Sequence, residues 1–371
     1  MTEGAAAPQG GRGPDQRRTS VAVAAAFGAL LAVGFLALLE VVSLELNVRA
    51  AARVPTREGS YTEGFFVPDL RLGYAPRKAA RVSARRVLDG KTVYDVTYTT
   101  DALGRRVSPV AGAEGRARHA LFFGCSFAFG EGVEDQETLP SRFGAESPLF
   151  RPYNYGFSGY GPQAALCRLE DPAFPAGVGE TEGLAVYVYL VGHERRARGS
   201  LRVVTEWGAS MPSDVLDAED RLVREGSFRE AHPRRMRLYG WLAMSETLRL
   251  LGVDLPLRVT ERDYETTARI VAAARDAYSR TFRGRFVVVV FPTADRRLRV
   301  LPHLRRLGVE VVDLSRLFDP AAPGLCLPGD GHPSPRAYRI VARVLARRLA
   351  ERPTPGGAAA PGGWRVSGPV K

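Results

Sequence analysis

The chain has 371 residues, room for one large domain or two smaller ones, and 45 % of them are hydrophobic, enough for a sizeable core. The formal net charge is +12; of the 52 basic residues only Lys78, Lys91 and Lys371 are lysine and the rest are arginine. The arginines are scattered and no basic run is interleaved with aromatics, which argues against a nucleic-acid groove and leaves attraction to an acidic surface such as anionic lipid open. The three cysteines, Cys125, Cys167 and Cys326, form no CxxC or Cys/His cluster, so neither a disulfide framework nor a structural zinc site is expected.

Residues 1–18 are rich in Gly, Pro and Arg and read as a disordered cytoplasmic tail. "VAVAAAFGALLAVGFLALL" (21–39) then runs without a charge. A helix needs about twenty apolar residues to cross a bilayer, so a transmembrane segment is expected over 19–45. A cleaved signal peptide would have a shorter apolar core, about 7–15 residues, and the small-residue "AAA" at 50–52 lies far beyond this one. Arg12, Arg17 and Arg18 precede the run, whereas Glu40 and Glu45 follow it before the next arginine. That asymmetry predicts an uncleaved single-pass anchor in the inner membrane with its N-terminus inside. The rest of the chain is then periplasmic or extracellular.

Residues 46–115 read as a small β-rich preface packing on the catalytic domain. "RVSARRVL" and "KTVYDVTYTT" flank Asp89-Gly90, a type I′ hairpin signal, and "DALGRR" turns the chain again. From 116 to 351 short apolar runs alternate with stretches of helical period. Strands are predicted at 119–123, 151–156, 184–190, 286–291 and 309–314, and helices at 136–145, 161–170, 262–283, 295–307 and 335–350. Strands alternating with helices predict an α/β domain with a parallel sheet and right-handed crossovers. The polar, Arg-rich interval 194–260 breaks the rhythm and reads as an insertion, with helix at 236–250. Residues 352–371 read as a second disordered tail.

In such a sheet ligands bind beyond the C-terminal strand ends, where four features fall. Ser126, in "FFGCSFAFGEGV", follows the first strand and precedes a helix. Its hydroxyl and its own N–H would face the crevice. "NYGFSGYG" (154–161) follows the second strand, and its glycines let backbone approach a ligand. "VGHERR" (191–196) ends the third, where His193, Arg195 or Arg196 could donate a hydrogen bond. "LPGDGHPSPRAY" (327–338) precedes the last helix. Its spacing lets Asp330 orient the His332 ring while His332 accepts a proton from a serine.

Over about 118–350 the chain resembles the SGNH hydrolases, the GDSL esterase/lipase family. "FFGCSFAFGEGV" resembles the Gly-Asp-Ser block, with Cys125 where Asp is usual. "NYGFSGYG" resembles the second block, whose oxyanion glycine matches Gly159. "GDGHPSPRAYRIVA" resembles the last block, matching Asp330 and His332. The resemblance implies a flavodoxin-like three-layer α/β/α fold, a serine nucleophile and no metal or organic cofactor. The third block departs from the pattern. Gly192 is kept, but "GHER" puts Glu194 where the family has its oxyanion Asn, so His193 or Arg195 would have to substitute.

These residues imply a Ser126–His332–Asp330 esterase whose oxyanion hole is made by Ser126, Gly159 and His193. Its substrates would be ester-linked acyl groups on an envelope glycan or lipid. An O-acyltransferase would share the acyl-enzyme, and an inactive envelope-binding module is the alternative that the altered third block favours. A nucleotide or flavin binder fits poorly, because no GxGxxG is present and no Lys-Ser/Thr follows the glycines.

Overall fold

A computed structural model describes residues 14–53, 57–295 and 297–350. The expected C-terminal tail and residues 1–13 of the expected N-terminal one lie outside the described residues. Helix α1 (Pro14–Arg53) contains the uncharged run and continues past it. Five strands come next: β1 (Arg57–Tyr61), β2 (Phe66–Asp69), β3 (Gly73–Pro76), β4 (Arg81–Leu88) and β5 (Lys91–Thr99). The α/β alternation starts with β6 (Arg118–Gly124), α2 (Ser126–Phe129), α3 (Leu139–Glu146), β7 (Phe150–Asn154), α4 (Pro162–Leu169) and β8 (Glu182–Tyr189). The interval that breaks it holds α5 (His193–Arg198), α6 (Leu201–Val203), β9 (Pro212–Leu216), β10 (Leu222–Ser227), α7 (Phe228–Ala231), α8 (Pro233–Leu242) and α9 (Glu246–Leu250). It resumes with α10 (Glu261–Thr281), β11 (Arg283–Val290), α11 (Val300–Arg306), β12 (Glu310–Asp313) and α12 (Pro335–Ala350).

The chain divides into two units. Among the described residues one comprises 14–53 with 241–253, and the other comprises 57–240 with 254–295 and 297–350. In the first, α1 holds a stretch over Val21–Ala51 that is long and apolar enough on average to cross a membrane. The predicted helix 236–250 is broken into α8 and α9, because Ser245 caps α9 by accepting from the Leu248 N–H at 3.2 Å.

In the second unit the five predicted runs form one parallel sheet of order β12-β11-β8-β6-β7. In chain order this is second-first-third-fourth-fifth, a doubly wound arrangement whose crevice opens where the winding reverses, between β6 and β8. Their apolar residues are buried on both faces, as runs such as "FVVVV" require. One face packs on α4, α5, α10 and α11 through residues such as Leu166, Ile270 and Leu304. The other packs on α3 and α12 through Phe143, Tyr338, Val341 and Leu345. The result is the expected three-layer α/β/α sandwich. Thr260 and Asp263 form a capping box on α10, and the Ser334 hydroxyl accepts from the Ala337 N–H at 3.2 Å to start α12. Helix α11 begins at Val300, later than its predicted start.

The preface is antiparallel. Strands β4 and β5 form the predicted hairpin, and Asp89 and Gly90 both take positive φ, 48° and 70°. Strands β9 and β10 form a ribbon that sequence patterning did not reveal. Exposure alternates along much of the polar β10, so it shows no apolar run.

One buried cation ties preface to sheet. Backbone bridges join Arg106 to Thr100 on one side and to Asn154, at the end of β7, on the other. Its side chain is fully buried and ion-paired to Asp135 at 3.0 Å. The guanidinium donates to the carbonyls of Phe129 (3.0 Å), Gly130 and Val133 (2.6 Å). It also lies over the rings of Tyr98 and Phe129, 4.2 and 4.7 Å from their centroids. Removing one partner of a buried ion pair costs about 3–5 kcal/mol, because the groups left behind stay desolvated. Arg106→Leu is therefore expected to lower unfolding stability by roughly that amount in a urea melt of the purified chain. A loss below about 1 kcal/mol would show that the three carbonyls find other donors.

Candidate active site

Strand β6 ends in a turn that only glycine fits. Gly124 has φ 142°, and a Cβ there would lie 2.9 Å from the Val188 carbonyl of the neighbouring strand. Cys125 is extended, and Ser126 opens the single turn α2. Cys125 is fully buried beneath this turn, whereas Ser126 reaches the cavity above it. The carbonyls that Arg106 binds belong to the next residues, so the same cation sets the course of the chain on both sides of Glu131.

The loop after β7 runs against this turn. The Asn154 amide donates to the Phe129 carbonyl at 3.1 Å, and its oxygen accepts from the Gly156 N–H at 3.0 Å. Gly156 comes so close that a Cβ would lie 2.6 Å from the Phe129 nitrogen. Further on, the Tyr74 hydroxyl donates to the Ser158 carbonyl at 2.7 Å, and the Trp207 indole donates to the Gly159 carbonyl at 3.2 Å. In a planar trans peptide C=O and N–H point opposite ways, so Tyr74 fixes the direction of the Gly159 N–H. Among the described residues no protein acceptor takes the N–H of Ser126 or of Gly159.

The third segment comes from the loop before α12. His332 Nε2 lies 2.8 Å from Ser126 Oγ, and His332 Nδ1 is bonded to Asp330 Oδ1. The other Asp330 oxygen is paired with Arg86 Nη1 of β4 at 2.9 Å. Residues 206 positions apart thus meet in one line, Arg86–Asp330–His332–Ser126. Glu131 approaches from the side, 3.9 Å from His332 Nε2. Its buried carboxylate accepts from Tyr61 (2.7 Å) and from the Ser158 hydroxyl. Burial, with the Glu131 charge adding to it, holds the Tyr61 phenol far above its ordinary range, so it remains a donor.

Burial pushes the Asp330 carboxyl up, but the His332 bond and charge and then Arg86 outweigh it and hold it below the usual range. Burial pushes the His332 imidazole down; the Asp330 hydrogen bond and the charges of Glu131 and Asp330 outweigh that, and the net shift is upward. Both shifts favour a carboxylate beside an imidazole ready to take a proton.

All these segments open on a cavity of about 540 Å³ lined by Phe66, Tyr74, Ser126, Glu131, Ser158, Gly159, Arg196, Trp207 and His332, with Gly73 and Ser210 completing the wall. Of the predicted site residues, Ser126, Asp330, His332 and Gly159 come together. His193 does not join them. It is fully buried at the start of α5, its Nδ1 is 2.6 Å from the Tyr187 hydroxyl, and it does not line the cavity. Burial, with Arg196 nearby, pushes its imidazole well down, so the ring is neutral core material. Glu194 also turns inward: it accepts from Tyr189 at 3.0 Å and from the Gly192 N–H at 3.1 Å, and burial raises its carboxyl. The Glu194 carboxylate is therefore not in the cavity. Arg195 is paired with Asp254 at 3.0 Å. Within 191–196 only Arg196 lines the cavity, donating to the Tyr160 carbonyl at 2.8 Å.

No family model and no curated protein matches the chain. Several solved structures are similar to it, two of them as follows. One is a member of the lipolytic protein G-D-S-L family from Veillonella parvula, 14 % identical, covering 64 % of this chain and 100 % of its own, with a TM-score of 0.37. The other is a G-D-S-L family structure from Desulfitobacterium hafniense, 12 % identical, covering 62 % and 98 %, with a TM-score of 0.34. At such similarity the chemistry has to be read from this chain's own residues.

Sequence patterning did not single out Arg86, Tyr61, Tyr74, Glu131 or Trp207. Glu131 had a visible signal, as the one charge in the apolar and glycine-rich "SFAFGEGV". Arg86 had none, sitting beside Arg85 in an arginine-rich strand. If His332 must be neutral to accept a proton, activity falls as pH drops through its pKa. Glu131→Gln removes one of the charges holding that pKa up, so the acidic limb of the kcat/KM profile should move to lower pH, by about one unit or less. An unmoved limb would show that Glu131 does not act on this imidazole.

Proposed function

We propose that the chain is a serine esterase, anchored by α1 in a cytoplasmic membrane with its N-terminus inside, that cleaves ester-linked acyl groups of an envelope glycan or lipid. The observation that carries this reading is the unbroken line from Arg86 through Asp330 and His332 to Ser126 at the wall of an open cavity. His332 Nε2 takes the Ser126 proton as Oγ attacks the ester carbonyl carbon. Asp330 holds the ring with Nδ1 protonated, and Asp330 and Glu131 both favour the imidazolium that forms. The free N–H groups of Ser126 and Gly159 receive the oxyanion. The imidazolium gives its proton to the leaving alkoxide, which departs as an alcohol and leaves the acyl-enzyme. Water, deprotonated by His332, then attacks the acyl carbon, and the acid leaves as Ser126 regains its proton.

The aromatic side of the cavity, Phe66, Tyr74 and Trp207, supports a substrate with a flat or apolar face, either a sugar ring or an acyl chain. A sugar hydroxyl in place of water would complete an acyl transfer, and product analysis with and without an acceptor glycan distinguishes the two.

Ser126→Ala should abolish labelling by a fluorophosphonate probe and lower ester hydrolysis by about 10⁴-fold or more. Equal labelling of variant and parent would mean that Ser126 is not the nucleophile and would favour the binding-module reading. Tyr74→Phe frees the Ser158–Gly159 peptide without touching Ser126, His332 or Asp330. It should lower kcat by about tenfold, less than the loss of a whole oxyanion donor, with KM changed little. An unchanged kcat would remove Gly159 from the oxyanion hole.

A further inference from the structure

The unit formed by α1 and residues 241–253 is arranged inside out. Glu40, Ser43 and Asn47 are spaced three and four apart and make a polar stripe on one face of an apolar helix. That stripe is spent on the 241–253 segment. Glu40 accepts from the Ser245 hydroxyl at 2.6 Å and the Glu246 N–H at 2.7 Å. Ser43 and Thr247 hydroxyls lie 3.1 Å apart, and the Asn47 amide donates to the Glu246 carbonyl at 2.9 Å and its carboxylate at 2.8 Å. Outward, apolar side chains stand beside the exposed Glu45–Arg49 ion pair and the exposed Arg249. Trp241, Met244 and Leu251 are 67, 66 and 68 % exposed, and Val41, Leu44 and Val48 of α1 are exposed as well.

Water would favour the opposite arrangement, with these side chains inside and the polar groups solvated. A bilayer boundary favours the one observed. At 1.5 Å per residue Val21–Ala51 is about 46 Å long, against a hydrocarbon core of about 30 Å, and its charged residues Glu40, Glu45 and Arg49 all lie in the last turns, which therefore favour the water boundary. The uncharged run 21–39 alone is about 28 Å long, which puts Glu40 and the segment bonded to it at the hydrocarbon edge. Tryptophan is enriched at that level, where its ring is apolar and its N–H wet.

We infer that residues 241–253, docked on the Glu40–Asn47 stripe, form a lipid-facing collar at the outer membrane–water boundary. Phospholipid at acyl-chain and glycerol depth would cover Trp241, Met244 and Leu251. The inference rests on α1 being a membrane span. It gives the insertion an anchoring role that neither the catalytic residues nor the uncharged run provides.

The test uses the unaltered full-length chain in vesicles of phosphatidylethanolamine and phosphatidylglycerol that carry a phospholipid with a photoactivatable diazirine near the glycerol end of one acyl chain. After illumination and proteolysis, adducts are mapped by mass spectrometry. Adducts on 241–253 together with adducts on α1 are the expected result. Adducts on α1 but none on 241–253 would overturn the collar and leave the span intact. Adducts on neither would remove the span, and the collar with it. Trp241→Glu combined with Leu251→Glu should cut adducts on 241–253 several-fold while those on α1 persist. Unchanged labelling of 241–253 in that variant would count against these side chains as the lipid contact.

Discussion

A guanidinium shut away from water has to be surrounded by acceptors, and Arg106 meets that demand with Asp135 and three carbonyls of the chain just past Ser126. This requirement shapes the end of the sheet that carries the candidate site. The segment that must satisfy Arg106 is also the one that carries Ser126 at its start and Glu131 in its middle. Neither residue can move far without leaving a charge or a carbonyl unpaired in a dry interior. The anchor of the arginine is the backbone bridge to β7, so the turn is referenced to the sheet and not to a loose loop.

Electrostatics within the site arise from the same economy of partners. Arg86 occupies the second oxygen of Asp330 and leaves the first for His332. Glu131 accepts from Tyr61 and Ser158 and so stands beside the imidazole without taking the Ser126 hydrogen bond for itself. Two carboxylates on one histidine strengthen it as a base. Both depend on residues of the β-rich preface, Arg86 and Tyr61. The preface is thus part of the catalytic machinery under the proposed function.

The sheet was legible because parallel strands buried on both faces show as unbroken β-branched runs, and "LAVYVYL" and "FVVVV" could hardly be anything else. Ser126, Gly159, Asp330 and His332 were legible because each lies at a strand end or just before a helix, in short glycine-rich stretches. What sequence missed has a common cause. Arg86, Tyr61 and Tyr74 reach the site across tertiary contacts from strands with no distinctive pattern, and Trp207 reaches it from a stretch with no clear period. His193 misled for the opposite reason: its position after β8 is right for a donor, but α5 starts there and turns the ring toward Tyr187 and Tyr189. Position along a strand fixes where a backbone goes; the helix after it decides which way a side chain faces.

The line from Arg86 to Ser126 draws on both ends of the catalytic unit, and the histidine enters from just before the last helix. A ribosome therefore releases the serine long before it releases the base. Until the C-terminal loop has been made, the alcohol is present as an ordinary serine with no histidine to deprotonate it. Under the proposed function, reactivity needs the C-terminal loop in place against the turn that carries Ser126. A polypeptide that still lacks His332 lacks the base of the proposed reaction.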